Sequence, residues 1–376
     1  MSLDTTLDTN TEDLIAEARR QVEICNACRY CEGFCSVFPA MTRQKAFADG
    51  DITQLANLCH NCRGCYYSCQ YTPPHEFALN LPAALAEVRQ DSWERLVRPR
   101  RLARLFHTHG VALALGLVVG FALMFLAVST MPPEDGEGFY AYLSHVAMVA
   151  IFLPAFVLPL VVAGVAVRDY WREIGAPRPA WRDFTVAMDR GARLKNLSGG
   201  QGQGCNFERE DRYTDARRWA HQAVMYGFLL CFASTSVATL MHYLLGMEAP
   251  YGPLALPKLL GVPGGILLTG GALWLAALKL RADPDLGAKR VWGGEMAFVL
   301  LLAFVAASGL ALYWAGGTAA LGTLLALHLG SVLVLFLLMP FTKMIHPMIR
   351  MAALVAEASQ ARRKAEGIGR EPLAQT

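Results

Sequence analysis

Residues 111–130 read VALALGLVVGFALMFLAVST, twenty residues without Asp, Glu, Lys or Arg. A helix of this length spans about 30 Å, the thickness of the hydrocarbon core of a bilayer. One charged side chain at the centre of such a helix costs about 2.5–3.5 kcal/mol, whereas each Leu, Ile, Val or Phe contributes only about 0.3–0.6 kcal/mol to insertion. The lack of charge therefore indicates a membrane span.

Five further stretches have the same property, and together they predict a six-helix membrane bundle. The charge-free stretches are 111–130, 141–167, 223–245, 259–278, 296–315 and 319–339. With flanking turns, the predicted spans cover approximately 111–130, 141–167, 221–245, 259–280, 296–315 and 319–345. Buried helices of a soluble protein are the alternative for any one span, but they do not explain six such runs in one chain.

The composition and the positions of the cysteines indicate a polar segment in addition to the membrane bundle. The chain has 54% apolar and 17% charged residues and a formal net charge of +3, against about 45–50% and 25% in soluble proteins. These values exclude a disordered protein, a nucleic-acid binder that relies on bulk charge, and an ordinary cytosolic enzyme. Eight of the ten cysteines precede residue 108. We therefore divide the chain into a cysteine-rich head (1–105), a membrane domain (106–346) with a long loop (168–220), and a basic tail (347–376).

Basic residues predict the direction of the spans. They concentrate before span one, in loop 168–220, between spans four and five, and after span six. The connections 131–140 and 316–318 contain no Lys or Arg, and the first carries Glu134, Asp135 and Glu137; only Lys258 lies on the same side as these connections. Because cytoplasmic loops are enriched in Lys and Arg, we expect a multi-pass protein of the inner (cytoplasmic) membrane with both termini in the cytoplasm.

The head contains two cysteine runs with the spacing of bacterial ferredoxins, C-x2-C-x2-C-x3-C. In those proteins the fourth cysteine of each run binds the other cluster. We therefore assign two [4Fe–4S] clusters, the first to Cys25, Cys28, Cys31 and Cys69, and the second to Cys59, Cys62, Cys65 and Cys35.

Other uses of these cysteines fit the pattern less well. Disulfides are disfavoured in a reducing cytoplasm, and zinc prefers two Cys pairs separated by a longer loop. One departure from the ferredoxin pattern is that Ser36 and Gln70 replace the proline after each fourth cysteine. Because the flanking segments show helical apolar spacing rather than strand alternation, we predict a helical ferredoxin-like head and an all-α protein.

Five histidines lie within or at the ends of predicted spans, where ionisable residues are rare and usually functional: His145, His221, His242, His328 and His346. Spans three and six run antiparallel, and along a helix His221–His242 and His328–His346 are separated by about 31 Å and 27 Å. If these helices are neighbours, His221 meets His346 on the head side and His242 meets His328 on the far side, as in bis-His ligation of b-type haem. His145 is an alternative outer ligand or part of a quinone proton path. The sequence leaves the number of haems, one or two, undecided. For each histidine, the alternative to haem ligation is a helix–helix hydrogen bond.

The loop and the tail carry too much charge to be simple connections. Loop 168–220 includes GGQGQGC at residues 199–205, and no strand precedes it to support a phosphate-binding turn. We expect this loop to pack on the head or to dock a partner. Residues 348–366 have the pattern of a basic helix on anionic lipid or in solvent. Cys205 and Cys231 are expected to be structural.

These parts, in this order, resemble the tricarballylate (citrate) utilization protein B family. The matching sequences are the paired cysteine runs with the following TPPHEF (72–77), the loop at 199–205, RRWAH (217–221) and the histidine-bearing last span. The resemblance implies a membrane electron acceptor that reoxidises an FAD-dependent tricarballylate dehydrogenase. The same module resembles the C-terminal half of a flavin, haem and iron–sulfur fusion protein of cobalamin biosynthesis, which implies haem. The membrane part resembles the nitrate-reductase gamma superfamily.

The function expected from these observations is electron transfer. Electrons would pass from the FAD of a partner dehydrogenase through two [4Fe–4S] clusters and haem b to the quinone pool. The chain would be an electron-transfer subunit of an oxidoreductase, and quinone reductase activity is open at this point. A tricarboxylate transporter is one alternative, but its cargo is anionic and the spans lack charge. A redox sensor is another, without a DNA-binding or kinase signature. No nucleic-acid partner is expected.

Overall fold

The computed structural model of the protein describes residues 5–35, 37–130, 141–208, 211–316 and 318–368. Within these ranges it contains thirteen α-helices and no β-strand, which confirms the predicted all-α fold. The acidic connection with Glu134, Asp135 and Glu137, used above for orientation, lies outside the described residues.

Short and medium helices build the head around the cysteine runs: α1 (Thr5–Cys28), α2 (Phe38–Met41), α3 (Asp49–Leu58), α4 (Gly64–Tyr67) and α5 (Leu81–Leu96). Helices α1, α3 and α5 pack against one another. The side chain of Asn80 caps α5 by accepting a hydrogen bond from the backbone N–H of Ala83 at 3.2 Å. Trp93 is buried, and its indole N–H donates to Asn57 at 2.8 Å, so its polar atom is satisfied inside the core.

Six helices are long and apolar enough to cross a membrane, which confirms the six predicted spans: α6 (Arg100–Ser129), α7 (His145–Glu173), α9 (Ala216–Leu245), α10 (Leu256–Arg281), α11 (Trp292–Trp314) and α12 (Leu321–Leu338). Several extend beyond their apolar stretch on the head side, as in the first turn of α6 and the last turn of α7. The predicted last span, 319–345, ends earlier. Helix α12 stops at Leu338 and two 3-10 turns follow, because Pro340 lacks the N–H that a continuing helix requires.

Small residues allow the spans to approach closely. An added Cβ at Gly227 of α9 would lie 2.5 Å from the backbone nitrogen of Leu268 on α10. An added Cβ at Gly271 of α10 would lie 2.8 Å from the Cβ of Ala223 on α9. Helix α10 also packs on α11, α11 packs on α6 and α12, and α12 packs on α6 and α7. The glycine-rich fourth span therefore forms a close helix–helix interface.

The last helix differs from the expected surface helix. Helix α13 (His346–Ala365) packs against α3, α7 and α8 (Trp181–Ala192), and its residues from Ala352 to Ser359 are buried. Its Glu357 accepts hydrogen bonds from Arg43, at 3.1 Å, and from Arg190. The apolar core of the head continues through α13 into the end of α7. The part of the tail from Ile349 to Ser359 thus belongs to the core of the head instead of lying on lipid or in solvent.

Candidate metal centres

The first cysteine set lies at the end of α1. This helix ends at Cys28 because Arg29 adopts a left-handed conformation (φ 56°), which turns the chain towards Cys31. Burial raises the pKa of the Cys25 thiol to about 12. The charges of the other thiols contribute to this rise in the order Cys69, Cys31 and Cys28. The fourth cysteine of the second run therefore lies within electrostatic range of the first three. We call these four residues the outer set.

The second set is more deeply buried. Burial raises the pKa of Cys35 well above its ordinary value, and the charges of Cys62 and Cys59 raise it further. The pKa of Cys65 is raised in the same way, first by burial and then by Cys35. The chain turns sharply between these cysteines. We call Cys35, Cys59, Cys62 and Cys65 the inner set.

Both sets have the donor chemistry that a [4Fe–4S] cluster requires. Burial raises the pKa of five of these thiols, Cys25, Cys31, Cys35, Cys62 and Cys65. Bound iron would replace the thiol protons and compensate the thiolate charge. Backbone N–H groups already point at two sulfurs, from Asn61 to Cys59 at 3.4 Å and from Tyr71 to Cys69 at 3.3 Å. A [4Fe–4S] cluster is held by four Cys thiolates, which is the number of thiols in each set.

Two partly buried arginines contact the inner set. Arg89 and Arg350 each donate a hydrogen bond at 2.8 Å to the carbonyl oxygen of Cys59. In the described part of the chain neither forms an ion pair with a carboxylate, and the buried Nε of Arg350 has no hydrogen-bond partner. Burial lowers the pKa of Arg350 well below its ordinary value. A buried cation of this kind requires a nearby anion, and a four-thiolate cluster on the inner set provides one.

The long loop covers the inner set, which confirms that it packs on the head. The backbone N–H of Asn206 donates to the carbonyl of Cys62 at 2.8 Å, and Arg217 donates to the carbonyl of Asn61 at 2.8 Å. The ring of Phe207 lies between two guanidinium groups, 4.6 Å from Arg63 and 4.2 Å from Arg217. These contacts shield the inner cysteines from water.

Glycine permits the closest approach of this loop. An added Cβ at Gly200 would lie 2.2 Å from the carbonyl oxygen of Gly33. The fully buried thiol of Cys205, in the same loop, donates to the carbonyl of Leu197 at 3.0 Å. It also lies close enough to Cys62 to contribute to the raised pKa of that thiol.

His221 and His346 come together where the bundle meets the head. Their ring centroids are 5.9 Å apart and the rings are perpendicular. Nδ1 of His346 is hydrogen-bonded to the carbonyl of Lys343, which leaves Nε2 as its free nitrogen. Nδ1 of His221 is buried without a hydrogen-bond partner. Each ring therefore has a nitrogen without a protein partner, and neutral imidazole nitrogens of this kind could bind iron.

The far-side pair expected from the sequence, His242 with His328, does not form. His242 instead stacks on His145, with ring centroids 4.3 Å apart and an interplanar angle of 21°. Nδ1 of His328 lies 3.1 Å from the hydroxyl of Ser308 on α11. The position next to Ser308 is Gly309, whose added Cβ would lie 3.0 Å from the His328 ring. His328 therefore faces α11, and it has the hydrogen-bonding role that was the alternative for these histidines.

Two family models together match the chain from residue 18 to residue 367. The Citrate utilization protein B model matches residues 90–367, and the Citrate utilization protein B Fer4-like domain matches residues 18–94. The chain belongs to the citrate utilization protein B family. Citrate utilization protein B of Escherichia coli is 42% identical over 356 residues, which are 93% of each chain. No solved structure matches the chain.

Membership in the citrate utilization protein B family confirms the resemblance read from the motifs. Both cysteine runs lie within the Fer4-like match, and the family model that covers the membrane helices extends through α13. The chain is thus a membrane protein of this family with a Fer4-like head.

Several charged residues at the junction between head and bundle were missed by sequence reasoning. Glu295 on α11 accepts from Lys343 at 2.6 Å and from Lys279. His60 is partly buried, and its Nδ1 is hydrogen-bonded to the carbonyl of Leu58 at 2.8 Å. Burial, and then the charge of Arg350, lowers the pKa of His60 well below its ordinary value. The only signal for Arg350 was its position one helical turn after His346.

Proposed function

We propose that this member of the citrate utilization protein B family is a membrane electron-transfer protein. It accepts electrons from the reduced FAD of a partner dehydrogenase of the tricarballylate or citrate type. It passes them through two [4Fe–4S] clusters and b-type haem to the quinone pool. The protein itself performs no bond chemistry on the organic acid.

The observation that carries this proposal is the spatial order of the candidate ligands, from the surface of the head to the bundle. Cys28 of the outer set is exposed, and Tyr30 beside it is 66% exposed. The inner set follows, with Cys35 and Cys62 buried. Arg350 then connects the inner set to His346. It donates a hydrogen bond to the carbonyl of Cys59, and it lies one turn after His346 on α13.

Each group of residues has a distinct task. When bound, the clusters and the haem supply one-electron carriers. The eight thiols hold the clusters in two adjacent sites, and Arg89 and Arg350 compensate their negative charge. The loop residues Asn206 and Phe207 exclude water from the inner set. His221 and His346 hold one haem at the head side of the bundle.

The exposed mouth of the outer set is the entry point for electrons. Cys25, Cys28, Cys31, Cys65 and Cys69 line one cavity together with aromatic side chains, among them Tyr30 and Tyr71. A flavoprotein that docks there would bring its FAD close to the outer set. The excess of Lys and Arg on the head side of the spans supports a cytoplasmic head in the inner membrane. The bundle is proposed to resemble the nitrate-reductase gamma superfamily.

The test uses the full-length protein, prepared anaerobically with its partner dehydrogenase. Addition of the dehydrogenase substrate should reduce both the clusters and the haem, followed by EPR and optical spectroscopy. His346→Leu should abolish the haem spectrum while the EPR signals of the clusters persist, and His328→Leu should retain it. Zinc or no metal at the eight thiols, or a haem that stays oxidised when substrate is added, would overturn the proposal.

A further inference from the structure

An open concavity lies on the head side of the bundle, beside the first turn of α6 and the last turn of α7. Its lining includes Arg98, Arg100 and Arg101 from the α5–α6 junction and Arg172 from α7. The residues that follow on α6, and those that precede on α7, belong to the apolar parts of membrane spans. The concavity therefore lies where the bundle enters the bilayer.

The charges that line this concavity are not balanced within the protein. Its two carboxylates are already engaged: Glu173 pairs with Arg95 at 2.6 Å, and Asp169 pairs with Arg168 at 3.0 Å. By contrast, the side chains of Arg98, Arg101 and Arg172 form no ion pair or hydrogen bond with the described residues. Three guanidinium groups thus remain available for an anion.

The two helices change from basic to apolar over a short distance. On α6, Arg101 is followed four residues later by Leu105, which is 46% exposed, and residues i and i+4 lie on one helix face. On α7, Val165 and Val161 are also exposed, and they precede Arg172 by seven and eleven residues, about two and three helical turns. Each helix therefore presents a cation next to an uncovered apolar surface.

The backbone favours a phosphate at the same place. Helix α6 begins after Pro99, which provides no side-chain cap for the first N–H groups. Uncapped N–H groups at a helix N-terminus attract phosphate oxygens. The 3-10 turn Met339–Phe341 packs against both α6 and α7, so it connects the two helices that carry these arginines.

We propose that this concavity binds the headgroup of an anionic phospholipid, with Arg98, Arg101 and Arg172 around the phosphate and the acyl chains along Leu105 and Val165. A free phosphate would satisfy the cations but leave the apolar surface uncovered. A headgroup with two phosphates, as in diphosphatidylglycerol, matches the number of unpaired arginines best. Basic pockets between membrane helices are sites of this kind.

The proposal is tested on the full-length, delipidated protein. Binding is measured by native mass spectrometry and in phosphatidylcholine nanodiscs with or without diphosphatidylglycerol, and inorganic phosphate is used as the headgroup-only probe. The R98Q/R101Q/R172Q variant should bind diphosphatidylglycerol about 100-fold more weakly, since each arginine near an anionic lipid surface contributes about fivefold. Inorganic phosphate should not displace the lipid at equal concentration.

A matched control removes three exposed arginines elsewhere, at Arg178, Arg182 and Arg212, and should bind the lipid like the wild type. The metal content and spectra of both variants are recorded to confirm that each has folded. Equal weakening in the two variants would reduce the effect to general surface charge and overturn the proposal. Equal displacement by inorganic phosphate, or no lipid retained by the wild type, would overturn it as well.

Discussion

The partly buried guanidinium of Arg350 should raise the reduction potential of a cluster on the inner set. Arg350 donates to the carbonyl of Cys59 at 2.8 Å, and its charge is not cancelled by an ion pair with any described carboxylate. Reduction adds one negative charge to the cluster, and a nearby cation stabilises that charge. Replacing Arg350 by Gln should therefore lower the potential of the inner cluster.

The size of the shift follows from Coulomb's law. At an effective dielectric constant of about 20, a unit charge about 7 Å from the cluster interacts with one added electron by about 2.4 kcal/mol. For a one-electron couple about 59 mV corresponds to about 1.4 kcal/mol, so the expected decrease is about 100 mV. The exposed Arg29, next to the outer set, is a useful comparison because water screens its charge.

The measurement is an anaerobic redox titration of the full-length protein followed by EPR. In R350Q one of the two cluster signals should move to lower potential and the other should stay in place. In R29Q both signals should stay close to their wild-type potentials. Arg350→Lys keeps the charge at this position, and it should preserve most of the potential if it folds and binds iron as the wild type does.

Other outcomes would refute this reasoning. A shift in R350Q below about 30 mV, or about 0.7 kcal/mol for one electron, would show that the charge of Arg350 is screened from the inner set. Equal shifts of both signals would show a general change in the head. A large loss of potential in R350K would assign the effect to the hydrogen bond with Cys59 and not to the charge.

Three further predictions concern folding and metal content. Ile349 is fully buried on α13, so Ile349→Ala should lower the free energy of unfolding of the head by about 2–5 kcal/mol. The control Ile368→Ala, at an exposed position, should change it by less than about 0.5 kcal/mol. Thermal unfolding compares the two variants, and equal effects would contradict the burial of α13. Gly227→Ala should lower the free energy of unfolding by about 1–3 kcal/mol, because the added methyl group overpacks against α10. The control Gly116→Ala should be tolerated, because its methyl group would meet no atom within 4 Å. Loss of folded protein in both variants would argue against the close interface between α9 and α10. Cys69→Ser should remove the EPR signal of the outer cluster and about half of the cluster iron, and an unchanged iron content would exclude Cys69 as a ligand.

The sequence predicted those parts of the fold that depend on neighbouring residues along the chain, namely the membrane helices and the cysteine sets. A charge-free run of about twenty residues has few alternatives to a membrane helix, and all six runs became such helices. The spacing of the cysteines fixed which thiols are close in sequence, and the assignment of Cys35 and Cys69 to opposite runs agrees with the charges that act on Cys65 and Cys25. His221 and His346 came together as expected, although the last span ends at Leu338 and His346 begins a separate helix.

What failed depended on which helices are neighbours. Helical rise predicted matching depths for His242 and His328, but α12 packs on α6, α7 and α11 while α9 packs on α10, so the two rings are not neighbours. Helix α13 was misread for a related reason. Its buried face is made largely of alanines, such as Ala353 and Ala356, which give little hydrophobic contrast with its basic end.

The burial of α13 has a consequence for electron transfer. His346 and Arg350 lie one turn apart on this helix, and the same helix is held in the head core by Ile349 and by the pairing of Glu357 with Arg43. A movement of the head relative to the bundle would therefore strain the His221–His346 pair and the Arg350–Cys59 contact together. The proposed electron transfer requires fixed short distances between carriers, and in that proposal α13 is the link between the inner cysteine set and the His221–His346 pair.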